Sequence, residues 1–280
     1  MQDLGGIAEE RAQYRPALFV IFFVIGFCIF AVPNYIVGST RNFYEVVLTI
    51  VLALLLLIVW KTKRLAKFAS IMFSFVIAST AYSSTYIIAH PYSLESSVEG
   101  IAYQKVLDTA AVVVPIIALT LVSGAKLDSI MLRRGQLKLG LVVGIAIFLV
   151  FALTSVQVSA LLFYGTDLTM SRIVGWSPWI LLFIFSNGLR EELLFRGLFL
   201  KKYQSLIGER SANFLQALIF SSAHLGSTYT PALMVFLLIT FLLGLGFGEL
   251  MKRTDSILGS VLFHAGADIP IVLGYFSMVS

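Results

Sequence analysis

Ionisable side chains stand inside strongly apolar stretches of the C-terminal half, in three short patterns: Glu191-Glu192 with Arg196, Phe220 with His224, and His264 with Asp268. Charged groups in hydrocarbon are costly, so they are usually paired and functional. A desolvated glutamate can act as a general base toward water, and a neutral histidine can hold the same water. A second histidine with a polar neighbour can stabilise an oxyanion. Together these groups could hydrolyse an amide.

Helical spacing divides the first pattern into two faces. Glu192 and Arg196 are four residues apart and can form an ion pair. Glu191 is turned by about 100° from Glu192 and shares a face with Asn187. One arginine beside two carboxylates therefore leaves Glu191 free for chemistry, with Glu192, Arg196 and Asn187 in support.

The other two patterns are expected at the same depth in the membrane. Glu191 lies ten residues before Lys201, His224 fourteen after Arg210, and His264 eleven after Arg253. At a rise of 1.5 Å per residue, each side chain is roughly 15–21 Å from its basic boundary. His264 and Asp268, four residues apart, can also meet on one face. These positions predict a shared, water-containing cavity.

The elements that must position these residues are transmembrane helices. Of the 280 residues, 59% are hydrophobic and 12% charged, with a mean hydropathy of +0.93. Soluble domains are nearer half apolar and a quarter charged. The sequence predicts an all-α, polytopic integral membrane helix bundle with eight or nine transmembrane helices. We place the spans at 17–38, 44–60, 66–89, 106–124, 139–164, 178–200, 211–225, 232–251 and 256–278, of which the seventh is short.

Basic residues alternate between the connections of these helices. The connections after the second, fourth, sixth and eighth predicted helices are rich in Lys and Arg, and the others are poor in them. This bias predicts a cytoplasmic N-terminus. A prokaryotic plasma membrane is the default location of this multi-pass protein, because no organelle-targeting or retention signal is evident. The net charge of +5 therefore indicates contact with the lipid bilayer, and no nucleic acid is expected as a partner.

Two parts of the chain are expected to differ in role. Residues 1–138 would hold the N-terminal transmembrane helices 1–4 and a basic interfacial segment at 127–138. Residues 139–280 would form the catalytic transmembrane core. Cys28 lies inside the first span and has no partner for an intrachain disulfide, so we expect a small core or lipid-facing residue.

The three patterns resemble those of the CPBP family, the CAAX proteases and bacteriocin-processing enzymes also called Abi. Its motifs EExxxR, FxxxH and HxxxN/D occur here in order, with a glycine-rich segment at 244–248 before the last motif. The resemblance covers roughly the last hundred residues. The CPBP family includes the Ras-converting prenyl-protein endopeptidases, which typically carry Asn where this chain carries Asp268.

The resemblance implies a metal-independent, glutamate-type intramembrane peptidase without a cofactor. It implies that Glu191 and His224 activate water, and that His264 and Asp268 form the oxyanion side. An ionised Asp268 cannot donate a hydrogen bond, so it must be protonated or must orient His264. The expected partner is a membrane-anchored or lipidated protein or peptide substrate.

Three alternatives stay open at this point. Glu, His and Asp side chains are all possible zinc ligands, although the HExxH signature is absent. The chain could be a non-proteolytic member of the same scaffold, an immunity factor, a chaperone or a partner of another membrane protein. It could also be a proton- or ion-coupled transporter with these residues as a relay, although no inverted repeat is evident.

Overall fold

The computed structural model describes residues 4–89 and 96–280, and the described part is helical without strands. Short 3-10 turns occur at Val32–Tyr35, Ala66–Phe68 and Leu127–Ile130, and π-helical segments at Thr85–Ala89 and Glu192–Gly197. The ten α-helices of these ranges are α1 (Leu4–Phe30), α2 (Ser39–Lys61), α3 (Ala69–Ser84), α4 (Val98–Val122), α5 (Leu137–Leu162), α6 (Met170–Glu191), α7 (Leu200–Ile207), α8 (Glu209–Ser222), α9 (Leu233–Thr254) and α10 (Leu258–Val279).

The predicted fold class is confirmed: the chain is a polytopic helical membrane protein. Within the described ranges, seven helical segments are long and apolar enough to cross a membrane, in α1–α5, α9 and α10. The other two predicted spans are also helices. However, α8 has only 14 residues, and α6 carries Asn187, Arg190 and Glu191 near its end. The eight residues of α7 make a short connection between them.

The predicted bounds of the fourth and sixth spans were wrong, because both helices begin with polar residues that a hydropathy reading leaves out. The fourth span begins at Val98 instead of 106, where the Ser97 hydroxyl accepts a hydrogen bond from the Gly100 amide. The added turns contain Lys105 and face a polar cavity. The sixth span begins at Met170 and changes to a π-helical segment after Glu191 instead of continuing to 200.

The segment predicted at the membrane interface is packed against the bundle. It contains one 3-10 turn, and Ile130 and Met131 in it are 1% and 2% exposed. The Gln136 amide donates to the Thr254 carbonyl at 2.7 Å, which joins the segment to the end of α9. Its place relative to the bilayer stays a prediction.

The π-helical segment Glu192–Gly197 lies at the centre of the bundle, and every residue in it is buried. The Phe195 ring contacts Phe30 of α1 at 4.7 Å and Phe220 of α8 at 5.2 Å, measured between ring centroids. Such segments are rare and frequently occur at functional sites. The N-terminal helices therefore pack directly against the segment that carries the glutamates.

The basic connections meet at one end of the bundle. Asp255 forms ion pairs with Arg133 and with Lys201, and Glu209 lies 3.7 Å from Lys252. Arg133 follows α4, Lys201 and Glu209 stand at the starts of α7 and α8, and Lys252 and Asp255 lie at the end of α9; we call this end the basic end. Three of the four connections that the sequence predicts to be basic therefore meet in space. Which membrane side the basic end faces stays a prediction.

Helix α10 packs closely against α5 because glycines remove the side chains between their backbones. A Cβ atom added to Gly259 would lie 2.7 Å from the Cα of Gly140 and 2.8 Å from its carbonyl oxygen. Both obstructing atoms belong to the backbone, so no side-chain rotation relieves the overlap. This contact holds the helix that carries His264.

We predict that Gly259→Ala lowers the apparent melting temperature of the detergent-purified protein, because α5 and α10 must separate. Overpacking of this kind typically costs about 1–3 kcal/mol. Gly175→Ala in α6 is the matched control, since nothing lies within 4 Å of its added Cβ, and we expect no loss of stability. Equal melting temperatures for the two variants would contradict the close α5–α10 contact.

Candidate active site

Three helices bring the predicted glutamate and histidines to one point. Glu191 is the last residue of α6, His224 follows α8, and His264 lies in α10. Oε2 of Glu191 is 4.0 Å from Nε2 of His224 and 3.5 Å from Nε2 of His264. Glu191 is 7% exposed and His264 3% exposed, so the point is largely shielded from solvent.

The backbone of α8 orients His224. Nδ1 of the ring lies 2.8 Å from the carbonyl oxygen of Phe220, one helical turn earlier. A carbonyl only accepts hydrogen bonds, so Nδ1 carries the proton and Nε2 of the neutral ring keeps a lone pair toward Glu191. The Phe220 ring also meets the His224 ring edge to face at 4.9 Å. This geometry explains why a Phe and a His stand four residues apart.

The expectation that Glu191 has no arginine partner was wrong. NH2 of Arg190 donates to Oε1 of Glu191 at 2.7 Å. Oε2 of Glu191 is buried and has no hydrogen-bond partner among the described residues. The two residues are adjacent in sequence, and adjacent residues point in different directions from a helix. Spacing alone therefore gave no signal for this pair.

Arg190 also connects Glu191 to other polar residues around the site. It donates to Oδ1 of Asn187 at 2.9 Å and lies 3.8 Å from a carboxylate oxygen of Asp108 in α4. Nδ2 of Asn187 in turn donates to Oδ2 of Asp268 at 2.9 Å. The predicted supporting residue Asn187 thus links α6 to α10. Sequence reasoning missed both Arg190 and Asp108.

Glu192 is fully buried, and its two oxygens accept three hydrogen bonds. Oε1 accepts from Arg196 at 2.9 Å and lies 2.8 Å from Nδ1 of His264, and Oε2 accepts from the Ser260 hydroxyl. The predicted ion pair of Glu192 and Arg196 is present, with both side chains 0% exposed. Ser260, one turn before His264 in α10, was missed.

Two phenylalanine rings complete the surroundings of this ion pair. The guanidinium carbon of Arg196 lies 4.0 Å from the ring centroid of Phe220 and 5.1 Å from that of Phe247. The Phe247 ring is stacked on the His264 ring, with centroids 4.7 Å apart. Cation–π contacts of this kind offset part of the cost of burying an arginine.

His264 and Asp268 face each other without a hydrogen bond. Nε2 of His264 is 3.6 Å from Oδ1 of Asp268, one helical turn away. With Nδ1 against Glu192, the free edge of the ring points between Glu191 and Asp268. The helical face predicted for this pair is therefore the face that lines the site.

A cavity of about 470 Å³ contains Glu191, His224 and Asp268 in its wall. Other parts of its wall come from the ends of α1 and α3, from α4, and from the connection after α8. Tyr229 in that connection also lines it, and burial raises the pKa of its hydroxyl, which therefore stays neutral. The N-terminal helices contribute polar groups that the sequence did not predict: Asn34, Arg41, Tyr82, Tyr86, Gln104, Lys105 and Asp108.

The residues of the described ranges do not offer a metal site. No group of three or more His, Cys, Asp or Glu side chains in these ranges is arranged to hold an ion. A protein zinc site needs at least three such ligands.

Comparison with known proteins supports the resemblance deduced from the motifs. Residues 173–270 match the family model described as type II CAAX prenyl endopeptidase Rce1-like. The predicted resemblance is thereby confirmed for this part of the chain, which we call the Rce1-like region. The region contains Glu191, His224, His264 and Asp268, whereas Lys105 and Asp108 lie outside it. No curated protein and no solved structure matches the chain.

We predict that Arg196→Met in the Rce1-like region strongly destabilises the protein. The substitution leaves the Glu192 carboxylate buried without its cation, and breaking such pairs typically costs about 3–5 kcal/mol. The control is Arg253→Met, whose Nε pairs with Glu249 at 2.8 Å while the side chain is 70% exposed. Exposed pairs are worth about 0–1 kcal/mol.

Thermal unfolding and the yield of folded protein in detergent measure both variants. A large loss for Arg196→Met with no change for Arg253→Met is expected. A similar small effect in both would show that Glu192 does not depend on its ion pair.

Proposed function

We propose that the protein is an intramembrane endopeptidase that hydrolyses a peptide bond near the membrane-anchored or lipidated end of its substrate. One observation carries this proposal: the buried Oε2 of Glu191 accepts no hydrogen bond from any described residue and faces Nε2 of both His224 and His264. The match of residues 173–270 to an endopeptidase family supports the same reaction class. The substrate therefore includes a lipid- or membrane-bound peptide segment.

Glu191 and His224 together would hold the attacking water. A water about 2.8 Å from each atom fits across the 4.0 Å that separate Oε2 of Glu191 from Nε2 of His224. It would donate one hydrogen to each, because both atoms are acceptors, and a lone pair of its oxygen would remain directed away from them. This arrangement makes Glu191 the general base and His224 the residue that positions the water.

The reaction proceeds in two steps. As the water oxygen bonds to the carbonyl carbon, its proton passes to Glu191 and the carbonyl π electrons move to oxygen. The carbon–nitrogen bond then breaks, and the departing nitrogen takes the proton from Glu191. The products are a carboxylic acid and an amine, and Glu191 returns to its ionised form. Arg190, which donates to Oε1, keeps the carboxylate oriented throughout.

His264 would stabilise the oxyanion. Its Nδ1 donates to Glu192, and with a second proton on Nε2 the ring would present an N–H to the reaction site. Asp268 accepts a hydrogen bond from Asn187 at Oδ2, which leaves Oδ1 toward His264. Asp268 would therefore orient the His264 ring, and no proton on Asp268 is needed.

We predict that Glu191→Gln and His224→Ala abolish or strongly reduce cleavage, because the first removes the general base and the second removes an acceptor for the water. General-base catalysis contributes about 10²–10⁴-fold. Glu249→Gln, which changes a half-exposed carboxylate of α9, is the matched control and should cleave normally. A panel of lipidated and membrane-anchored peptides serves as substrate for the purified proteins, with and without a chelator.

Activity that survives chelation and requires Glu191 and His224 is the expected outcome. Loss of activity on chelation would replace this mechanism with metal chemistry. A Glu191→Gln protein that cleaves as fast as wild type would remove Glu191 from the mechanism. If a folded wild-type protein cleaves no peptide and Glu191→Gln keeps its cellular function, a non-proteolytic scaffold role is favoured.

The orientation of the bundle in the membrane decides the side to which the cavity opens. Asn34 after α1, Tyr86 after α3 and Tyr229 after α8 line the cavity, and these helix ends lie away from the basic end. If the basic end is cytoplasmic, as the Lys and Arg bias predicts, the cavity opens toward the outside. We therefore propose a prokaryotic plasma-membrane enzyme with a cytoplasmic N-terminus and substrate entry from the outer side.

Single cysteines can test this orientation in intact cells. In a Cys28→Ser background, Thr228→Cys at the cavity mouth should react with a membrane-impermeant maleimide. Lys63→Cys, in the exposed connection after α2, should react only after the cells are permeabilised. The reverse pattern would show that the cavity opens to the cytoplasm.

A further inference from the structure

Asn34 lies in the 3-10 turn that follows α1, outside the Rce1-like region, and it contacts the turn that carries His224. Its Nδ2 donates to the carbonyl oxygen of Ala223 at 2.8 Å and to that of Phe30 at 3.3 Å. Carbonyl oxygens only accept hydrogen bonds, so the side-chain amide must direct its nitrogen toward them. Residues 189 positions apart in the sequence are thereby joined directly.

The bond to Ala223 acts on the peptide group that precedes His224. The carbonyl of Ala223 and the amide of His224 belong to one planar unit. The amide end of this unit donates to the Ser221 carbonyl oxygen at 3.0 Å, and the carbonyl end accepts from Asn34. Carbonyl groups at the end of a helix lack a partner within it, so Asn34 supplies one that α8 cannot. The plane is thus held at both ends, directly before the Cα atom of His224.

Gly226 lets the same turn close around Asn34. A Cβ atom added to Gly226 would lie 2.9 Å from the Cβ of Asn34 and 3.5 Å from its Cγ. The backbone of the turn therefore contacts the Asn34 side chain a second time, two residues after His224. A side chain at position 226 would push the two apart. Asn34 consequently contacts the turn on both sides of His224.

Asn34 is itself held in place by the N-terminal helices. The preceding residue, Pro33, is buried. The Tyr82 hydroxyl of α3 lies 3.4 Å from Oδ1 of Asn34, and the Tyr82 ring meets the Phe30 ring edge to face at 5.6 Å between centroids. The oxygen and the nitrogen of the side-chain amide thus both have partners. The position of the turn that carries His224 is therefore set by α1 and α3.

The geometry of the reaction depends on where this turn places the imidazole. Nε2 of His224 lies 4.0 Å from Oε2 of Glu191, the separation that a bridging water fits. Nδ1 of the same ring reaches the Phe220 carbonyl oxygen only while the peptide group before His224 keeps its orientation. A displacement of about 1 Å at a catalytic group can reduce the rate on the order of 100-fold. The bond that holds this peptide group therefore bears on catalysis.

We propose that Asn34 is the positioning residue of His224: it holds the turn after α8 so that the imidazole presents Nε2 to the water shared with Glu191. This inference rests on the proposed function and extends it to a part of the chain outside the matched residues 173–270. Asn34 acts through His224 and requires no contact with the substrate. The N-terminal helices thereby contribute to the catalytic geometry as well as to the wall of the cavity.

Two substitutions release the turn from different sides. Asn34→Leu keeps the approximate size of the side chain and removes the Nδ2 donor, and Gly226→Ala inserts a methyl group between the turn and Asn34. The matched controls are Asn42→Leu, at an exposed position of α2, and Gly175→Ala, whose added Cβ has nothing within 4 Å. Melting temperatures in nanodiscs show which proteins are folded. Because the two variants reach the same turn independently, either one that folds decides the question.

The tautomer of His224 gives a readout that does not rely on catalysis. The chain contains three histidines, so ring-nitrogen NMR spectra of isotopically labelled protein are simple, and the signals missing from His224→Ala assign the residue. We expect wild type and both controls to show only the tautomer with the proton on Nδ1, as the Phe220 carbonyl requires. Asn34→Leu and Gly226→Ala should show both neutral tautomers. A residue that only adds stability would lower the melting temperature and leave the tautomer unchanged.

Cleavage of the lipidated and membrane-anchored peptides is the second readout. Asn34→Leu and Gly226→Ala should lower kcat on the order of 10–100-fold while KM changes much less, because the position of the water is altered and the substrate contacts are kept. A single Nδ1–H tautomer in these variants, or a kcat equal to that of the controls, would overturn the proposal. If wild type cleaves no peptide, the endopeptidase function is contradicted, and the tautomer alone decides whether Asn34 orients His224.

Discussion

A charge buried in the hydrocarbon region must be compensated by donors in fixed positions, and the Glu192 carboxylate imposes this constraint on the whole site. Arg196, Ser260 and His264 supply those donors, from the π-helical segment and from α10. The Arg196 guanidinium in turn lies over the Phe220 ring, and the Phe220 carbonyl oxygen orients His224. One network therefore places both histidines.

The two adjacent glutamates illustrate how surroundings can divide the roles of identical side chains. Both oxygens of Glu192 accept hydrogen bonds in a fully buried position, so this residue is suited to hold other groups. Among the residues that the structure describes, a hydrogen bond reaches only Oε1 of Glu191, and Oε2 faces the two imidazole rings. That difference supports Glu191 as the general base. Close packing at Gly188 of α6, where an added Cβ atom would lie 3.2 Å from the carbonyl oxygen of Val261, keeps α10 near enough for His264 to reach both carboxylates.

Sequence patterns predicted those parts of the structure that depend on local spacing. Hydropathy located the helices, and the four-residue spacing of Glu192 and Arg196 indicated their ion pair. Contacts between helices were out of reach, because a single sequence does not show which faces pack together. Ser260 and Asp108 belong to this group, and so does Lys105, which precedes the predicted start of the fourth span at residue 106. The roles of the predicted site residues and the boundary between residues 1–138 and 139–280 stay predictions.

In the proposed mechanism, Glu191 and His224 share the attacking water. An experimental structure of the wild-type protein in nanodiscs, at a resolution that shows ordered waters, would locate this water. We expect it within hydrogen-bond distance of both Oε2 of Glu191 and Nε2 of His224, and absent from the Glu191→Ala protein. A direct hydrogen bond between the two side chains, or a metal ion bound between them, would contradict it.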